Sequence, residues 1–337
     1  MSKDNMYKFP YHSCDLSQYK FLITGGAGFI GSNIVEYLLK YDACHVRVID
    51  NLSNGYYDNI KGFVGLPNFE FIEGDIRDLE TCRRVVKGID FISHQAALGS
   101  VPRSIADPIT SNDVNVSGYL NMLVSAKESN SLKKFVYAAS SSTYGDSLLL
   151  PKVEGNEGKL LSPYAVTKFV NELYADVFSS LYNFHSIGLR YFNIFGPNQN
   201  PNNPYAAVIP IFCKHFIDGT SPLIYGDGET SRDFTFVENA VQANIKAFFF
   251  NGGNKNEVFN VACGDQISLN EIISLLKTIS SKNLEPQYCL ERVGDIRHSK
   301  ASIDKIKSSF GYEPKFMFKE GLEIVFNWYK RNSLNAK

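Results

Sequence analysis

The stretch Phe21-Leu-Ile-Thr-Gly-Gly-Ala-Gly-Phe-Ile-Gly31 joins a short apolar run to a glycine-rich turn and the start of a helical pattern. Gly25, Gly28 and Gly31 recur at every third residue, and positions 26, 28 and 31 also satisfy G-x-G-x-x-G. Such a turn lets the backbone touch a pyrophosphate and directs the N–H groups of the following helix towards it. Because the turn follows a strand-like run and opens a helix, it predicts a dinucleotide site.

Apolar runs and helical patterns alternate around this turn through the first two-thirds of the chain. The alternation predicts an α/β fold, a Rossmann-type doubly wound parallel sheet with helices on both faces. The strand-like runs lie at 21–24, 45–50, 69–72, 89–93, 134–138 and 186–190. The helical stretches between them lie at 29–40, 79–87, 112–128 and 163–182.

A smaller second unit is predicted where the chain leaves this pattern after about residue 191, in the proline- and asparagine-rich stretch 196–204. Segment 234–262 combines an apolar helical pattern with a further strand-like run and is expected to return to the first sheet. The predicted division is a dinucleotide-binding Rossmann domain, 1–191 and 234–262, and a smaller α/β substrate-binding lobe, 192–233 and 263–337.

Charge and composition exclude several classes of protein. A net charge of −1 over 337 residues gives no overall field for nucleic acid or anionic lipid, so neither is expected as a partner. No run of about 18 apolar residues is present, so no membrane span is expected. The six cysteines have no paired spacing and are typical of reduced thiols, which predicts a cytoplasmic protein. The six histidines form no ligand pattern, and no metal is assigned.

Asp50, at the end of the second strand-like run, indicates which dinucleotide binds. A carboxylate there accepts hydrogen bonds from the adenosine ribose hydroxyls and repels a 2′-phosphate, which favours NAD over NADP. Loops after the third and fourth runs are candidates for contact with the adenine and the nicotinamide half, although their residues fit ordinary loops equally well. Besides the glycines and Asp50, the predicted cofactor-binding residues are Phe29, Ile30, Asn51, Ser53, Gly55, Asp75, Ile76, Gln95, Ala96 and Ala97.

Tyr164 and Lys168 lie one helical turn apart, in a stretch that follows the serine cluster 140–142. Spacing of i and i+4 places both side chains on one helix face, where the ammonium group favours phenolate over phenol. Ionisation near pH 7 requires the tyrosine pKa to fall by about 3 units, and one cation gives about 1–3 units. The lysine alone is therefore marginal, and the positive ring of an oxidised nicotinamide is a candidate for the rest. Together with the glycine turn, the pair predicts hydride transfer to and from a nicotinamide.

These motifs resemble, over nearly the whole chain, those of the extended short-chain dehydrogenases that act on nucleotide sugars. The resemblance rests on the glycine turn, on Thr143-Tyr-Gly145 after the serines and on the tyrosine–lysine pair. It extends to Arg190-Tyr-Phe-Asn193 and Ser231-Arg-Asp-Phe234. Within that family, the stretches 94–104 and 294–299 are similar to those of bacterial UDP-N-acetylglucosamine 4-epimerases that serve surface polysaccharides.

The resemblance implies reversible C4 epimerisation of UDP-N-acetylglucosamine to UDP-N-acetylgalactosamine. Tyr164 would act as base, Ser140 would hydrogen-bond the sugar O4, and Lys168 would bind the nicotinamide ribose and lower the tyrosine pKa. Hydride would leave C4, the transient 4-keto sugar would present its other face, and hydride would return, so that tightly bound NAD is regenerated in each turnover. A homodimer formed through helices 112–128 and 163–182 is also implied.

The resemblance further assigns residues around the cofactor and a UDP-sugar. Asn115 is placed on the cofactor side, and Arg232 and Arg292 form a diphosphate clamp, since guanidinium groups suit phosphate oxygens. Ser299 stands where relatives restricted to UDP-glucose carry a tyrosine, which leaves room for a 2-acetamido group, and it equally suits a helix cap. The implied substrate-binding residues are Gly99, Ser100, Ser140, Ser141, Ser142, Asn193, Ala207, Val208, Leu223, Tyr225, Arg232, Arg292, Asp295 and Ser299.

Three other functions compete with this one. A 4,6-dehydratase needs an acid–base carboxylate pair directly after the position of Ser140, where this chain has Ser141 and Ser142. A 4-epimerase of UDP-N-acetylglucosaminuronate has closely similar sequences, and the residues do not decide the oxidation state at C6. A non-catalytic regulator that binds NAD or nucleotide sugars would be indicated by loss of Tyr164 or Lys168, and both are present.

Overall fold

We describe the computed structural model of the chain over residues 3–201, 207–252, 255–291 and 297–335. Its strands are β1 (Lys20–Thr24), β2 (His45–Asp50), β3 (Phe69–Glu73), β4 (Phe91–His94), β5 (Lys134–Ser140), β6 (Ser186–Tyr191), β7 (Ile194–Phe195), β8 (Leu223–Tyr225), β9 (Ser231–Arg232), β10 (Thr235–Phe236), β11 (Glu257–Val261), β12 (Ile267–Ser268) and β13 (Gln287–Cys289). Seven of them form one parallel sheet in the order β11-β6-β5-β4-β1-β2-β3. The predicted doubly wound parallel sheet is confirmed.

Burial explains why most strands of this sheet are continuous apolar runs. A parallel sheet is covered by helices on both faces, so that both sets of side chains are buried. Every residue of β4, in the middle of the sheet, is buried, and β1 is exposed only at its first residue. β3 forms an edge, and its residues are at most partly buried. The strands at the centre of the sheet are therefore more deeply buried than the edge strand β3.

The helices begin and end largely where capping residues predict. Asp78 accepts hydrogen bonds from the N–H groups of Glu80 and Thr81 at the start of α2, and Gly219 ends α7 in the left-handed conformation. The helices are α1 (Phe29–Lys40), α2 (Leu79–Val86), α3 (Val101–Ala106), α4 (Pro108–Asn112), α5 (Tyr119–Lys127), α6 (Pro163–Tyr182), α7 (Val208–Asp218), α8 (Val237–Phe248), α9 (Leu269–Ser280), α10 (Asp304–Phe310) and α11 (Phe318–Asn335).

The sheet separates two apolar layers. Buried side chains of α1 and α8 pack on one face, in a cluster that continues into α7, α9 and α11. Buried side chains of α2, α5 and α6 pack on the other face against β4 and β5. Because all seven strands are parallel, their carboxyl ends lie at one edge of the sheet, where open α/β sheets bind their ligands.

The chain beyond β6 builds a smaller region from short strand pairs. β7 pairs with β10, β8 with β13, and β9 with β12. Between them α8 packs on the main sheet, and β11 then joins that sheet beside β6, as the pattern of 234–262 predicts. The boundaries of the two units stay a prediction.

One helix differs from its prediction. The stretch 112–128 is a single helical pattern in the sequence, but Asp113–Gly118 forms a π-helical turn between α4 and α5. A Cβ at Gly118 would lie 2.7 Å from the Ile76 Cδ1 atom, so the glycine allows this turn to approach the loop after β3. A six-residue π turn adds no periodic signal that distinguishes it from an α-helix.

All six cysteines are free thiols. Among the described residues, no helix combines the length and the apolar character needed to cross a membrane.

Candidate active site

A cavity of about 650 Å³ opens at the carboxyl ends of β1, β2, β4 and β5. The glycine turn between β1 and α1 forms its floor. Gly25 has a φ of +66°, and a Cβ on it would lie 2.7 Å from the Ala96 backbone nitrogen. A Cβ on Gly31 would collide with the Gly25 carbonyl oxygen. The glycines therefore allow a close approach of three backbone segments and leave the main chain open to a ligand at this point.

The amino end of α1 faces this cavity. Gly28 is its N-cap and has no side chain with which to cap the first-turn N–H groups. Those groups carry the positive end of the helix dipole, which suits a pyrophosphate. The residues present therefore fit the dinucleotide that the turn predicts.

Asp50 ends β2 beside the same turn. Its carboxylate accepts hydrogen bonds from the N–H groups of Ala27 at 3.0 Å and Leu52 at 2.9 Å, which fix its orientation. Burial raises the pKa of Asp50, and these backbone hydrogen bonds lower it in part. Asp50 lines the cavity, where its remaining acceptor capacity is available to ribose hydroxyls.

Nearly all the residues predicted to bind the cofactor line this one cavity. They are Gly25, Gly28, Phe29, Ile30, Asp50, Asn51, Ser53, Gly55, Asp75, Ile76, Gln95, Ala96, Ala97, Tyr164 and Lys168. The exception is Asn115, which is buried on the π turn and lies behind the wall. The Asn115 Oδ1 atom accepts a hydrogen bond from the Leu98 N–H group, and its Nδ2 atom donates to the Leu98 carbonyl oxygen and the Thr167 hydroxyl group. Asn115 therefore connects the loop after β4 to α6.

Helix α6 positions the tyrosine–lysine pair. Ser162 caps it by accepting a hydrogen bond from the Ala165 N–H group at 3.1 Å, and Pro163 occupies its first position. This start places Tyr164 and Lys168 on the face that looks into the cavity. The Lys168 Nζ atom donates to the Ala138 carbonyl oxygen of β5 at 2.8 Å. The ammonium group is thereby anchored between the helix and the sheet.

The electrostatics of the pair differ from simple activation by lysine. Burial raises the pKa of Tyr164 above its ordinary value, and a hydrogen bond with the Ser140 side chain lowers it in part. Burial lowers the pKa of Lys168 to about 8, and the nearby Glu172 raises it in part. In the protein alone the phenol is therefore the stable form. This direction agrees with the expectation that lysine alone does not ionise the tyrosine.

The lowered pKa of Lys168 makes stability depend on pH. The unfolded lysine keeps its proton up to about 10.5, whereas the folded one loses it near 8. Between these values the unfolded state binds more protons, so stability rises with pH, by about 1.4 kcal/mol per unit at most. We expect the free energy of unfolding of the wild type to rise, relative to that of Lys168→Met, between pH 8 and 10. Urea denaturation of the protein free of NAD measures this difference, and a constant difference would contradict the buried lysine.

Ser140 stands at the end of β5 beside Tyr164. Its Oγ atom accepts a hydrogen bond from the Ser142 hydroxyl group at 2.9 Å, and it also caps the short turn that follows. Ser140, Tyr164 and Lys168 thus converge on one wall of the cavity. A side chain on this wall that accepts and donates protons, such as Tyr164, therefore faces the glycine turn, which fits a dinucleotide.

The predicted substrate-binding residues are only partly brought together. Gly99, Ser100, Ser140, Asn193 and Ala207 line the cavity. Within the described ranges, the cavity wall does not include Ser141, Ser142, Val208, Leu223, Tyr225, Arg232 or Ser299. Arg292 and Asp295 lie outside the described residues. Strand β8 carries Leu223 and Tyr225, and strand β9 carries Arg232. The Ser299 N–H group donates to the Ser231 carbonyl oxygen of β9 at 3.1 Å.

Sequence reasoning missed the segment 198–200, which forms part of the cavity wall. Asn198, Gln199 and Asn200 line it, and the Asn200 amide donates to the Tyr56 hydroxyl group on the loop after β2. The Asn198 amide donates to the Ser32 hydroxyl group of α1 at 2.9 Å. The asparagine-rich composition of 196–204 was the available signal, but it predicts a loop and not where the loop lies.

Tyr191 is a second residue that the sequence did not single out. It ends β6, lines the cavity and places its hydroxyl group 3.2 Å from the Gln95 Oε1 atom. The Asn244 amide of α8 donates to the same hydroxyl group at 2.7 Å. This network holds Gln95 beside the floor of the cavity.

Comparison with known proteins agrees with this geometry. The model of the NAD dependent epimerase/dehydratase family matches residues 21–262. The chain is 36% identical over 316 residues to a putative UDP-glucose 4-epimerase of Methanocaldococcus jannaschii, covering 93% of this chain and 99% of the relative.

Two solved structures share the fold. One is a UDP-N-acetylglucosamine 4-epimerase from Methanobrevibacter ruminantium in complex with UDP-N-acetylmuramic acid, with a TM-score of 0.88, 36% identity, and coverage of 93% of this chain and 99% of that one. The other is a UDP-glucuronic acid 4-epimerase from Bacillus cereus in complex with UDP-glucuronic acid and NAD, with a TM-score of 0.85, 30% identity, and coverage of 93% and 99%. The chain therefore belongs to the NAD dependent epimerase/dehydratase family, and its cofactor is NAD.

Proposed function

We propose that the protein catalyses the reversible C4 epimerisation of UDP-N-acetylglucosamine to UDP-N-acetylgalactosamine, as a step in making surface polysaccharide precursors. The observation that carries this proposal is the convergence of Ser140, Tyr164 and Lys168 on a cavity with a dinucleotide floor. The relatives compared above are named as 4-epimerases of UDP-sugars, which supports that reaction class.

The chemistry assigned to the chain is proton transfer and positioning. Bound NAD supplies a reversible hydride acceptor for C4. Tyr164 takes the proton from the sugar O4 and later returns it, and Ser140 holds the same oxygen by a hydrogen bond. Lys168, anchored by the Ala138 carbonyl group, keeps a positive charge beside the phenol, which lowers the cost of the phenolate. The transient 4-keto sugar is reduced on its opposite face, so that C4 is inverted without net oxidation.

The choice of sugar rests on three small residues that the family resemblance assigns to the surroundings of the 2-position. Gly99 and Ser100 line the cavity, and Ser299 lies beside β9, outside the cavity wall. Arg232 and Arg292 are proposed to hold the diphosphate, and Asp295 to accept a hydrogen bond from the uridine ribose. These assignments favour a substrate with a 2-acetamido group over unacetylated UDP-glucose.

The test is to incubate the purified protein separately with UDP-N-acetylglucosamine, UDP-N-acetylglucosaminuronate and UDP-glucose, without added NAD. Proton NMR at C4 reports inversion directly. We expect UDP-N-acetylglucosamine to be converted at the highest rate. Turnover of UDP-N-acetylglucosaminuronate alone would indicate that the protein is instead the 4-epimerase of that sugar. No inversion of any of the three, with NAD bound, would reject the proposed substrate.

We also propose that the protein is a homodimer. Exposed apolar side chains Val166, Leu173, Val177 and Leu181 form a stripe along α6. Partly buried Leu120 and Val124 lie on α5, which packs beside it. Two such helix pairs, one from each copy, would bury both stripes in a four-helix contact.

Light scattering tests the dimer. We expect the wild type to have twice the mass of one chain and Leu173→Glu/Val177→Glu to have the mass of one, because two carboxylates would be buried without partners. Leu148→Glu, at an exposed leucine outside these helices, is the matched control and should keep the double mass. A wild type with the mass of a single chain would reject the interface.

A further inference from the structure

Asn33 of α1 connects the dinucleotide floor to the segment 197–200. Its Nδ2 atom donates to the Phe29 carbonyl oxygen at 2.9 Å and to the Pro197 carbonyl oxygen at 3.1 Å. Phe29 and residues 198–200 line the cavity, whereas Asn33 is fully buried and does not line it. One amide group outside the cavity thus joins two parts of the cavity wall.

The orientation of this amide group depends on a donor for its oxygen. Each of the two amide hydrogens is directed to one carbonyl group, so the Asn33 Oδ1 atom must face a donor. The Tyr7 hydroxyl group supplies that donor at 2.8 Å, and the Tyr7 and Asn33 side chains are only 1% and 0% exposed. With the amide group turned round, its oxygen would face two carbonyl oxygens. Tyr7 therefore determines that the amide nitrogen faces Phe29 and Pro197.

Tyr7, in the segment that precedes β1, is itself held in place by contacts from three helical side chains. Its N–H group donates to the Glu238 Oε1 atom of α8 at 2.9 Å, and its carbonyl oxygen accepts from the Tyr41 hydroxyl group at 2.9 Å. Its ring packs edge-on against Tyr37 of α1, with the ring centres 5.7 Å apart. Its φ of +55° lies in the left-handed region, which residues other than glycine keep only where surrounding contacts fix them. These contacts place the hydroxyl group at Asn33.

The hydrogen bond from Asn33 to Pro197 is shielded from water. Both residues are buried, so water does not replace either partner when the bond breaks. The hydrogen bond of Asn198 to Ser32 is partly buried, and that of Asn200 is exposed, so water replaces their partners more easily. Among these three attachments, the Asn33 amide group therefore contributes most to holding the segment.

We propose that Tyr7 and Asn33 are positioning residues for NAD: Tyr7 orients the Asn33 amide group, and Asn33 holds the segment 197–200 against α1, so that bound NAD leaves slowly. Neither side chain lines the cavity, so both act through the wall that they hold together. NAD leaves more easily when Phe29 and residues 198–200 separate. Retention of NAD by this route does not depend on which UDP-sugar the protein epimerises.

The rate of NAD release tests this route in the absence of any sugar. Protein loaded with radiolabelled NAD is mixed with a large excess of unlabelled NAD, and rapid filtration follows the label that stays bound. Tyr7→Phe removes only the hydroxyl group that bonds Asn33 and should release NAD about fivefold faster or more. With NAD at saturating concentration, kcat for the UDP-sugar that the wild type epimerises should be unchanged. A fall in kcat without faster release would assign Tyr7 to the reaction site instead.

Tyr41→Phe is the matched control, because it also removes a hydroxyl group that bonds residue 7 but leaves the bond to Asn33. It should release NAD at the wild-type rate. Asn33→Ala should release NAD at least as fast as Tyr7→Phe. The double variant Tyr7→Phe/Asn33→Ala should be no faster than Asn33→Ala, because both changes act on one amide group. Circular dichroism confirms that each variant is folded.

Three results would overturn the proposal. One is an unchanged release rate in Tyr7→Phe. Another is equal acceleration in Tyr7→Phe and Tyr41→Phe, which would show that the segment before β1 acts only as a structural anchor. The third is a double variant in which the two accelerations multiply, because Tyr7 would then act by a route other than Asn33.

Discussion

Tyr164→Phe is expected to lower kcat for epimerisation by about 10²–10⁴-fold, the range that a positioned acid–base group contributes. The substitution removes only the hydroxyl group that bonds with Ser140, and the ring keeps its place on α6. KM and the affinity for the UDP-sugar should therefore change little. Steady-state kinetics and calorimetry with the unreacted UDP-sugar measure the two effects separately.

Tyr182→Phe is the matched control for this prediction. Tyr182 ends the same helix and is exposed to solvent, far along α6 from the cavity. Its loss of a hydroxyl group should leave kcat unchanged. If Tyr164→Phe also kept its full kcat, another group would have to carry the proton, and the assignment of the base would be wrong.

Arg190→Met is expected to lower the free energy of unfolding by about 3–5 kcal/mol, the usual effect of removing one partner from a buried ion pair. Arg190 lies on β6, donates to both carboxylate oxygens of Glu172 at 2.9 and 2.6 Å, and also pairs with Glu157. The Arg190 and Glu172 side chains are only 4% and 7% exposed. Without the guanidinium group, burial raises the pKa values of both carboxylates, and the nearby Lys168 opposes this only in part at Glu172.

Two further variants separate the ion pair from other effects. Lys61→Met removes the cation of an exposed pair with Asp58 and should change stability by less than about 1 kcal/mol. Arg190→Met/Glu172→Gln removes the stranded charge and should recover part of the loss. Chemical denaturation at pH 7 measures all three, and a loss of less than about 1 kcal/mol in Arg190→Met would show that solvent reaches the pair.

The sequence predicts a helix or strand well where particular residues mark its two ends. The helix predicted at 163–182 coincides with α6 because Ser162 and Pro163 start it and Asn183 stops it in the left-handed conformation. The glycine turn predicts β1 and α1 for the same reason, since only glycine fits its close contacts. Both elements supply the parts of the candidate site that local spacing reveals, namely the dinucleotide floor and the tyrosine–lysine pair.

Contacts between distant segments leave no local pattern. Asn115 is predicted to lie beside the cofactor. Its amide group forms hydrogen bonds with Leu98 and Thr167, which are 17 and 52 residues away along the chain. The residues next to Asn115 in the sequence do not predict these contacts. The sequence also does not show how burial changes the pKa values of Tyr164 and Lys168. Spacing alone shows the lysine beside the phenol, whereas the structure shows that removal from water sets the direction of both pKa shifts.

The segment 197–200 has a consequence for how the enzyme is supplied with its coenzyme. The Pro197 carbonyl oxygen accepts a hydrogen bond from the Asn33 amide group at 3.1 Å. Asn198 and Asn200 donate hydrogen bonds to the Ser32 and Tyr56 hydroxyl groups, respectively. If these three hydrogen bonds hold the segment over a bound dinucleotide, the dinucleotide would behave as a prosthetic group: dialysis would not remove it, and each molecule would keep the copy that it acquired on maturation. Swings in the cell's redox ratio would then leave the rate of sugar interconversion untouched.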